Sequence, residues 1–228
     1  MQKSKNNLIA GLIALVAAGG IWLAYPHFSE GAGEQDQKKT EEQGLVNGLD
    51  AQKLNELADQ LKKDPQAGRA TFFSETKWSG GMKSVSTFSK YEIDGQVKKH
   101  ARTLILNGDE MAELSGTDTV PGAVEEMMYA VGTCIVAAAN ANAAVSGVKL
   151  TKLEVSLESD IDMHGLMGLD PKVRPGLLDF RTKITIAGDA DEETLKKIAL
   201  SGYNLSPVSD TVRNGVTHVE PPQIVVEK

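Results

Sequence analysis

The chain has 228 residues, 41% hydrophobic and 24% charged, enough for one globular domain with a core plus appendages. Its formal charge of -7, with lysines and arginines scattered and no aromatics interleaved among them, excludes a nucleic-acid-binding face. A single cysteine excludes an internal disulfide framework and a Cys-rich zinc site, and His27, His100, His164 and His218 lack metal-ligand spacing. Neither a metal nor a cofactor is therefore expected.

Met1 to Asn7 carries Lys3 and Lys5 and no acid, and Leu8 to Tyr25 then runs without a charge. As a helix this run would be about 27 Å long, against a hydrocarbon core of about 30 Å. Lysines before it, the acids Glu30, Glu34 and Asp36 after it, and Trp22 and Tyr25 at its outer end predict an uncleaved single-pass anchor. That orientation sends the rest of the chain to the extracytoplasmic side of a bacterial-type inner membrane. A cleaved signal peptide is the alternative, although no small-x-small site closely follows the apolar run. The remainder of residues 26–44, centred on Ser29 to Gly44, has no apolar side chain larger than alanine from Ser29 onward and reads as a flexible tether.

The folded domain is expected over residues 45–220, with 221–228 as a tail. Asp50 caps a predicted helix with the apolar stripe Leu54, Leu57 and Leu61, which stops before Pro65. Strands are expected at Ala70–Trp78, Ser84–Ile93 and Lys98–Leu106, the last two joined at the hairpin signal Asp94-Gly95. A long helix from about Ala123 to Val145, closed by Gly147, precedes strands at Lys149–Asp162 and Leu178–Ala187. Another helix is expected at Glu192–Leu200, with Pro207 and Ser209 read as turn residues and a last strand from Thr217. Strands and helices in this order make an α+β domain with its helices on one side of a sheet. Met127 to Val145 also has the length of a membrane span, but Asn140, Asn142 and an alanine-rich second half fit a buried core helix better.

Cys134 is the chemically notable residue of that helix. It is either a small core hydrophobe or a thiol that a cationic or hydrogen-bond-donating neighbour turns into a thiolate. Glu125 lies nine residues earlier, on the opposite face of an unbroken helix at about 100° per residue. Such an acid serves the helix macrodipole or takes part in a site that meets Cys134 across a bend or a dimer.

Five stretches together resemble the OsmC/Ohr family of thiol-dependent peroxide-reducing proteins: Val46–Gly68, Lys77–Gly81, Glu113–Cys134, Asp160–Gly176 and Ser206–Asn214. The resemblance spans about Asn47 to Asn214. It implies an α+β fold in which antiparallel sheets wrap long central helices of an intertwined homodimer, with reactive sites at the dimer interface. Under it Cys134 matches the peroxide-attacking cysteine and Glu125 the acid that opens the same segment. Lys83 is the nearest counterpart of the family's arginine, though it lacks the bidentate guanidinium fork. His164 lies in a loop where related sequences often carry arginine. Ser206 stands where the second, resolving cysteine would be. A hydroxyl forms no disulfide, so a peroxidase of this kind would stop at a sulfenic acid and depend on an external thiol or disulfide reductant. The competing expectation is a non-catalytic dimer that binds an apolar ligand or a protein partner.

Overall fold

The computed structural model describes residues 44–227. The charge-free run Leu8–Tyr25 and most of the tether lie outside the described residues. The chain enters through a turn in which Val46 and Leu49 exchange backbone hydrogen bonds, with Asn47 at φ 50°. Helix α1 (Ala51–Lys63) follows. Its cap is Asp50, whose side chain accepts from the Lys53 N–H, as the sequence predicted.

Strands β1 (Ala70–Phe72), β2 (Glu75–Gly80), β3 (Lys83–Ile93) and β4 (Gln96–Gly108) form an antiparallel sheet around β3. The expected strand Ala70–Trp78 is thus two strands, which pair with opposite ends of β3. Asp94 and Gly95 both adopt positive φ, at 50° and 74°, the backbone that a two-residue primed turn requires. Two bulge-like register shifts, between Trp78 and Gly80 and between Phe88 and Lys90, interrupt the ladders.

Helix α2 (Ala123–Val145) runs unbroken for 23 residues. Gly147 at φ 72° ends it, with its N–H on the Ala144 carbonyl and the Val148 N–H on that of Ala143. Strand β5 (Leu150–Asp160) pairs antiparallel with β6 (Asp179–Gly188) through a connection that contains the short helix α3 (Met163–Leu166). Helices α4 (Glu192–Leu205) and α5 (Pro207–Asn214) complete the described elements. Helix α4 runs to Leu205, past the expected end at Leu200, and Pro207 and Ser209, read as turn residues, instead belong to α5, with Pro207 at its first position, where the missing N–H costs nothing. The strand expected from Thr217 does not form: residues 217–227 have no described secondary structure and lie exposed.

The helices do not lie on a single sheet, as the sequence suggested. They cover the β5–β6 pair, and the core is built there from Ala139, Ala143, Val148 and Ile198 against Leu150, Leu153, Ile186 and Leu195. Helix α2 is long and apolar enough to cross a membrane by length and composition. Here its row Val131, Ile135, Ala139 and Ala143, spaced four apart, is buried, in keeping with a core helix. The β1–β4 sheet meets the helical layer at one end, where Ser84 and Glu126 both approach Gly108. Elsewhere it leaves large apolar side chains in the open, with Phe72 80% and Trp78 79% exposed.

Candidate functional site

Helix geometry fixes what Cys134 sees. The Val131–Ile135–Ala139 row faces α4, where a Cβ on Gly202 would lie 2.6 Å from the Ala139 Cβ and 2.9 Å from the Ile135 carbonyl oxygen. On the flank toward β5, Met128, Gly132 and Val136 with Val155 and Leu157 line a groove of about 480 Å³. Cys134 is two residues from both Gly132 and Val136, about 200° around the axis, and so occupies the other flank. There it is half-buried, among the uncharged neighbours Met127, Ala130, Ala138 and Ala141. A cation or donor that favours the thiolate must therefore come from another element or another chain.

The sequence-predicted site residues divide between two places. Ser206 shares the surroundings of α2: it is fully buried at the α4–α5 junction, one turn after Gly202, and α5 packs on α2. Its Oγ accepts a 3.1 Å hydrogen bond from the Ser209 N–H and caps α5. Glu125 and Lys83 sit at the amino-terminal end of α2. Glu125 is exposed, and one of its carboxylate oxygens accepts the Gly122 N–H at 2.9 Å, so it caps its own helix. The helix has no break at Gly132, so Glu125 lies about 13 Å along the axis from Cys134 and on the opposite face. Lys83 is exposed at the start of β3, beside the Ser84–Glu126 meeting point. Within one chain, therefore, Cys134 and Ser206 attach to the same helical layer, and Glu125 and Lys83 lie apart from them.

His164 is also held locally. It stands in α3 with its Nδ1 2.9 Å from Asp162 Oδ1, and its N–H donates to the same oxygen. That backbone hydrogen bond, the imidazole contact second, lowers the Asp162 pKa below its ordinary value.

A buried acid that the sequence reading passed over anchors the entry to α2. Asp109 is 3% exposed and accepts through Oδ2 from the Thr117 hydroxyl at 2.5 Å and the Thr117 N–H at 3.0 Å. Its pKa falls from 3.8 to about 2, chiefly through the Thr117 hydroxyl, then through the Glu110, Thr117 and Thr119 backbone, with burial opposing. The Asp109 N–H also donates to the Pro121 carbonyl, one residue before the Gly122 cap. Only a Gly-, Asp- and Glu-rich loop was legible there, because the partners lie eight and ten residues away. Among the described residues no group of three or more His, Cys, Asp or Glu side chains is arranged to hold a metal.

A family model described as OsmC-like protein matches residues 116–220. That span holds α2, Cys134, both strands of the second sheet and Ser206, and the described residues as a whole form an α+β arrangement of antiparallel sheets and helices. Among solved structures, an OsmC-like protein from Mycoplasma pneumoniae is similar at 13% identity and a TM-score of 0.47, over 63% of this chain and 88% of its own. An osmotic stress induced and detoxification response protein from Psychrobacter arcticus gives 10% identity and a TM-score of 0.47, over 62% and 88%. An OsmC-like hydroperoxide resistance protein from Jannaschia gives 14% and 0.35, over 68% and 94%. No curated protein matches the chain.

Proposed function

We propose that this chain acts in the response to peroxides through Cys134, as a one-cysteine reductase of organic hydroperoxides; the match of residues 116–220 to the OsmC-like family model supports this reading. The Cys134 thiolate attacks the distal oxygen of the O–O bond; the cysteine becomes a sulfenic acid and the substrate leaves as an alcohol after taking up a proton. One external thiol then condenses with the sulfenic acid, releasing water and leaving a mixed disulfide. A second thiol frees Cys134 and carries away the oxidised reductant. The observation that carries this reading is the position of Cys134: half-buried at mid-helix, with the buried Ser206 on a junction packed against the same helix. The measurement is hydroperoxide consumption with a small dithiol as reductant, for the wild type and Cys134→Ser. Loss of turnover in the variant is expected, and equal rates would end the proposal.

The domain works as a homodimer in this reading. Support comes from the exposed apolar side chains of the first sheet, Phe72, Trp78 and Ile105 among them, a kind of surface that often marks an interaction site. A second copy would also be the source of the charge that α2 lacks around Cys134, with Lys83 and Glu125 as contributors. The run Leu8–Tyr25 anchors the protein in the membrane, with the domain on the extracytoplasmic side. Removal of Met1 to Gly44 is then expected to leave a soluble dimer in sedimentation equilibrium; a monomer would count against the shared interface.

One observation favours a second reading, a dimer that binds an apolar ligand without chemistry: in one chain Glu125 is engaged as a helix cap away from Cys134. Maleimide labelling separates the two. A thiol that reacts only after unfolding favours the binding protein, and rapid labelling of the native protein favours the reductase.

A further inference from the structure

Three asparagines in this chain precede a glycine, at Asn47–Gly48, Asn107–Gly108 and Asn214–Gly215. In such a pair no side chain shields the glycine nitrogen, which reaches the asparagine Cγ wherever both are free to move. The fold restrains the first two. Asn47 has both ends of its amide engaged, Nδ2 on the Val148 carbonyl and Oδ1 on the Leu150 N–H. Asn107 lies inside β4 in register with Val85, and Gly108 beside it is buried opposite Ser84.

Asn214 is exposed and is the last residue of α5, and no helix or strand follows it among the described residues. Two hydrogen bonds hold the pair, both in the final turn. The Gly215 N–H donates to the Thr211 carbonyl at 2.8 Å, and Asn214 Nδ2 donates to Asp210 Oδ1 at 2.8 Å. A terminal helical turn opens at almost no cost in free energy, so neither bond is a lasting barrier. Gly215 closes the helix at φ 75° and ψ -170°, a conformation essentially confined to glycine, and a Cβ built on it meets no atom within 4 Å. The residue that ends α5 thus also leaves its neighbour open to attack.

We propose that Asn214–Gly215 is a site of spontaneous deamidation, and that the product loosens the end of α5. The Gly215 nitrogen, having lost its proton to hydroxide, adds to Asn214 Cγ. The new C–N bond closes a succinimide, and the bond from Cγ to Nδ2 breaks with release of ammonia. Water then opens the ring at either carbonyl, giving aspartate or isoaspartate with one added negative charge. Water is the only co-reactant, so the site stands whether or not Cys134 reacts with peroxide. A carboxylate at this position is unfavourable twice over. It lies at the negative end of the helix dipole, and it replaces the donor to Asp210, four residues earlier, with a like charge. Asp210 is also the acid nearest Arg213, whose guanidinium lies over the Tyr203 ring at 4.6 Å, so the disturbance reaches the contact between α4 and α5.

The test incubates the full-length chain at mildly alkaline pH and follows its peptides by mass spectrometry. Conversion is expected first at Asn214, as two products of equal mass, at a rate that rises with hydroxide concentration. Asn47 and Asn107 should keep their amides over the same period and lose them alongside Asn214 once the chain is unfolded in urea. Asn214→Gln should abolish conversion at this site while keeping a donor for Asp210. Asn214→Asp carries one product from the start, and amide exchange in α5 should quicken by about two- to tenfold, the combined size of the two charge effects. Adding Asp210→Asn should recover part of that difference. An Asn214 that keeps its amide in the folded chain while the unfolded chain loses it would overturn the proposal, as would equal conversion at Asn47 or Asn107. Unchanged exchange in Asn214→Asp would overturn the effect on α5.

Discussion

The Ser206 hydroxyl accepts from the Ser209 N–H at 3.1 Å in a fully buried junction. Ser206, which the resemblance sets where a second thiol would stand, is thus a helix cap, and its side chain has a structural task. Ser206→Ala should cost about 1 kcal/mol, within the usual range for losing an N-cap. The urea midpoint is the measurement, and an unchanged midpoint would mean that α5 does not depend on the cap. Ser206→Cys tests the neighbourhood itself: after peroxide treatment, mass spectrometry under non-reducing conditions is expected to find the introduced thiol bridged to Cys134 within one chain.

Gly202 permits the closest approach of α4 to α2. A methyl group there would meet the Ala139 Cβ at 2.6 Å and the Ile135 carbonyl at 2.9 Å, and backbone cannot swing aside as a long side chain does. Overpacking of this kind costs about 1 to 3 kcal/mol, against a helix-propensity gain of about 1 kcal/mol for Gly→Ala. Gly202→Ala should therefore be neutral to destabilising by about 2 kcal/mol. Stabilisation in a denaturant titration would show that the two helices are farther apart than described.

Asp109 links stability to acid pH. Its pKa is about 2 in the folded chain against an ordinary 3.8, so the carboxylate contributes stability above about pH 4. That contribution declines as pH falls through the folded value. Asp109→Asn should flatten the dependence of unfolding temperature on pH between about 4 and 2. A variant whose profile runs parallel to the wild type would mean that another acid governs this range. Thr117→Val removes the largest cause of the shift and should raise the acid midpoint of unfolding.

Asn47 clips the incoming chain to the end of α2. Its Nδ2 donates to the Val148 carbonyl, its Oδ1 accepts from the Leu150 N–H, each at 2.9 Å, and its backbone is at φ 50°. Asn47→Gly removes the side-chain bonds and keeps the backbone at ease. Asn47→Ala removes the same bonds and adds the left-handed cost, so it should be less stable than the glycine variant by about 1 kcal/mol. Chemical denaturation of the two variants side by side gives that difference directly; equal stabilities would argue against the left-handed backbone.

The local signals in this chain were strong where one residue type has one physical use. Asp50 before a Leu54–Leu57–Leu61 stripe specifies a capped helix, Asp94-Gly95 a two-residue turn, and Gly147 a helix end, because each requirement is met by neighbours within a few residues. The charge-free stretch around Cys134 likewise gave the long helix, and the order of five motifs gave the resemblance to OsmC-like proteins, whose family model matches residues 116–220. What depended on distant contacts was not legible. The division into two sheets follows from which strands find β3 and which find β5, a choice made by register across the fold and not by the alternation within a strand. The absence of a strand from Thr217 has the same origin: β-prone residues form a strand only when an edge receives them. Cys134 and Glu125 were both readable as residues of interest, but their separation required a helix with no bend at Gly132. That straightness is set by the α4 and β5 surfaces on which α2 is packed, so the tertiary structure decided which of the two flanks carries the thiol.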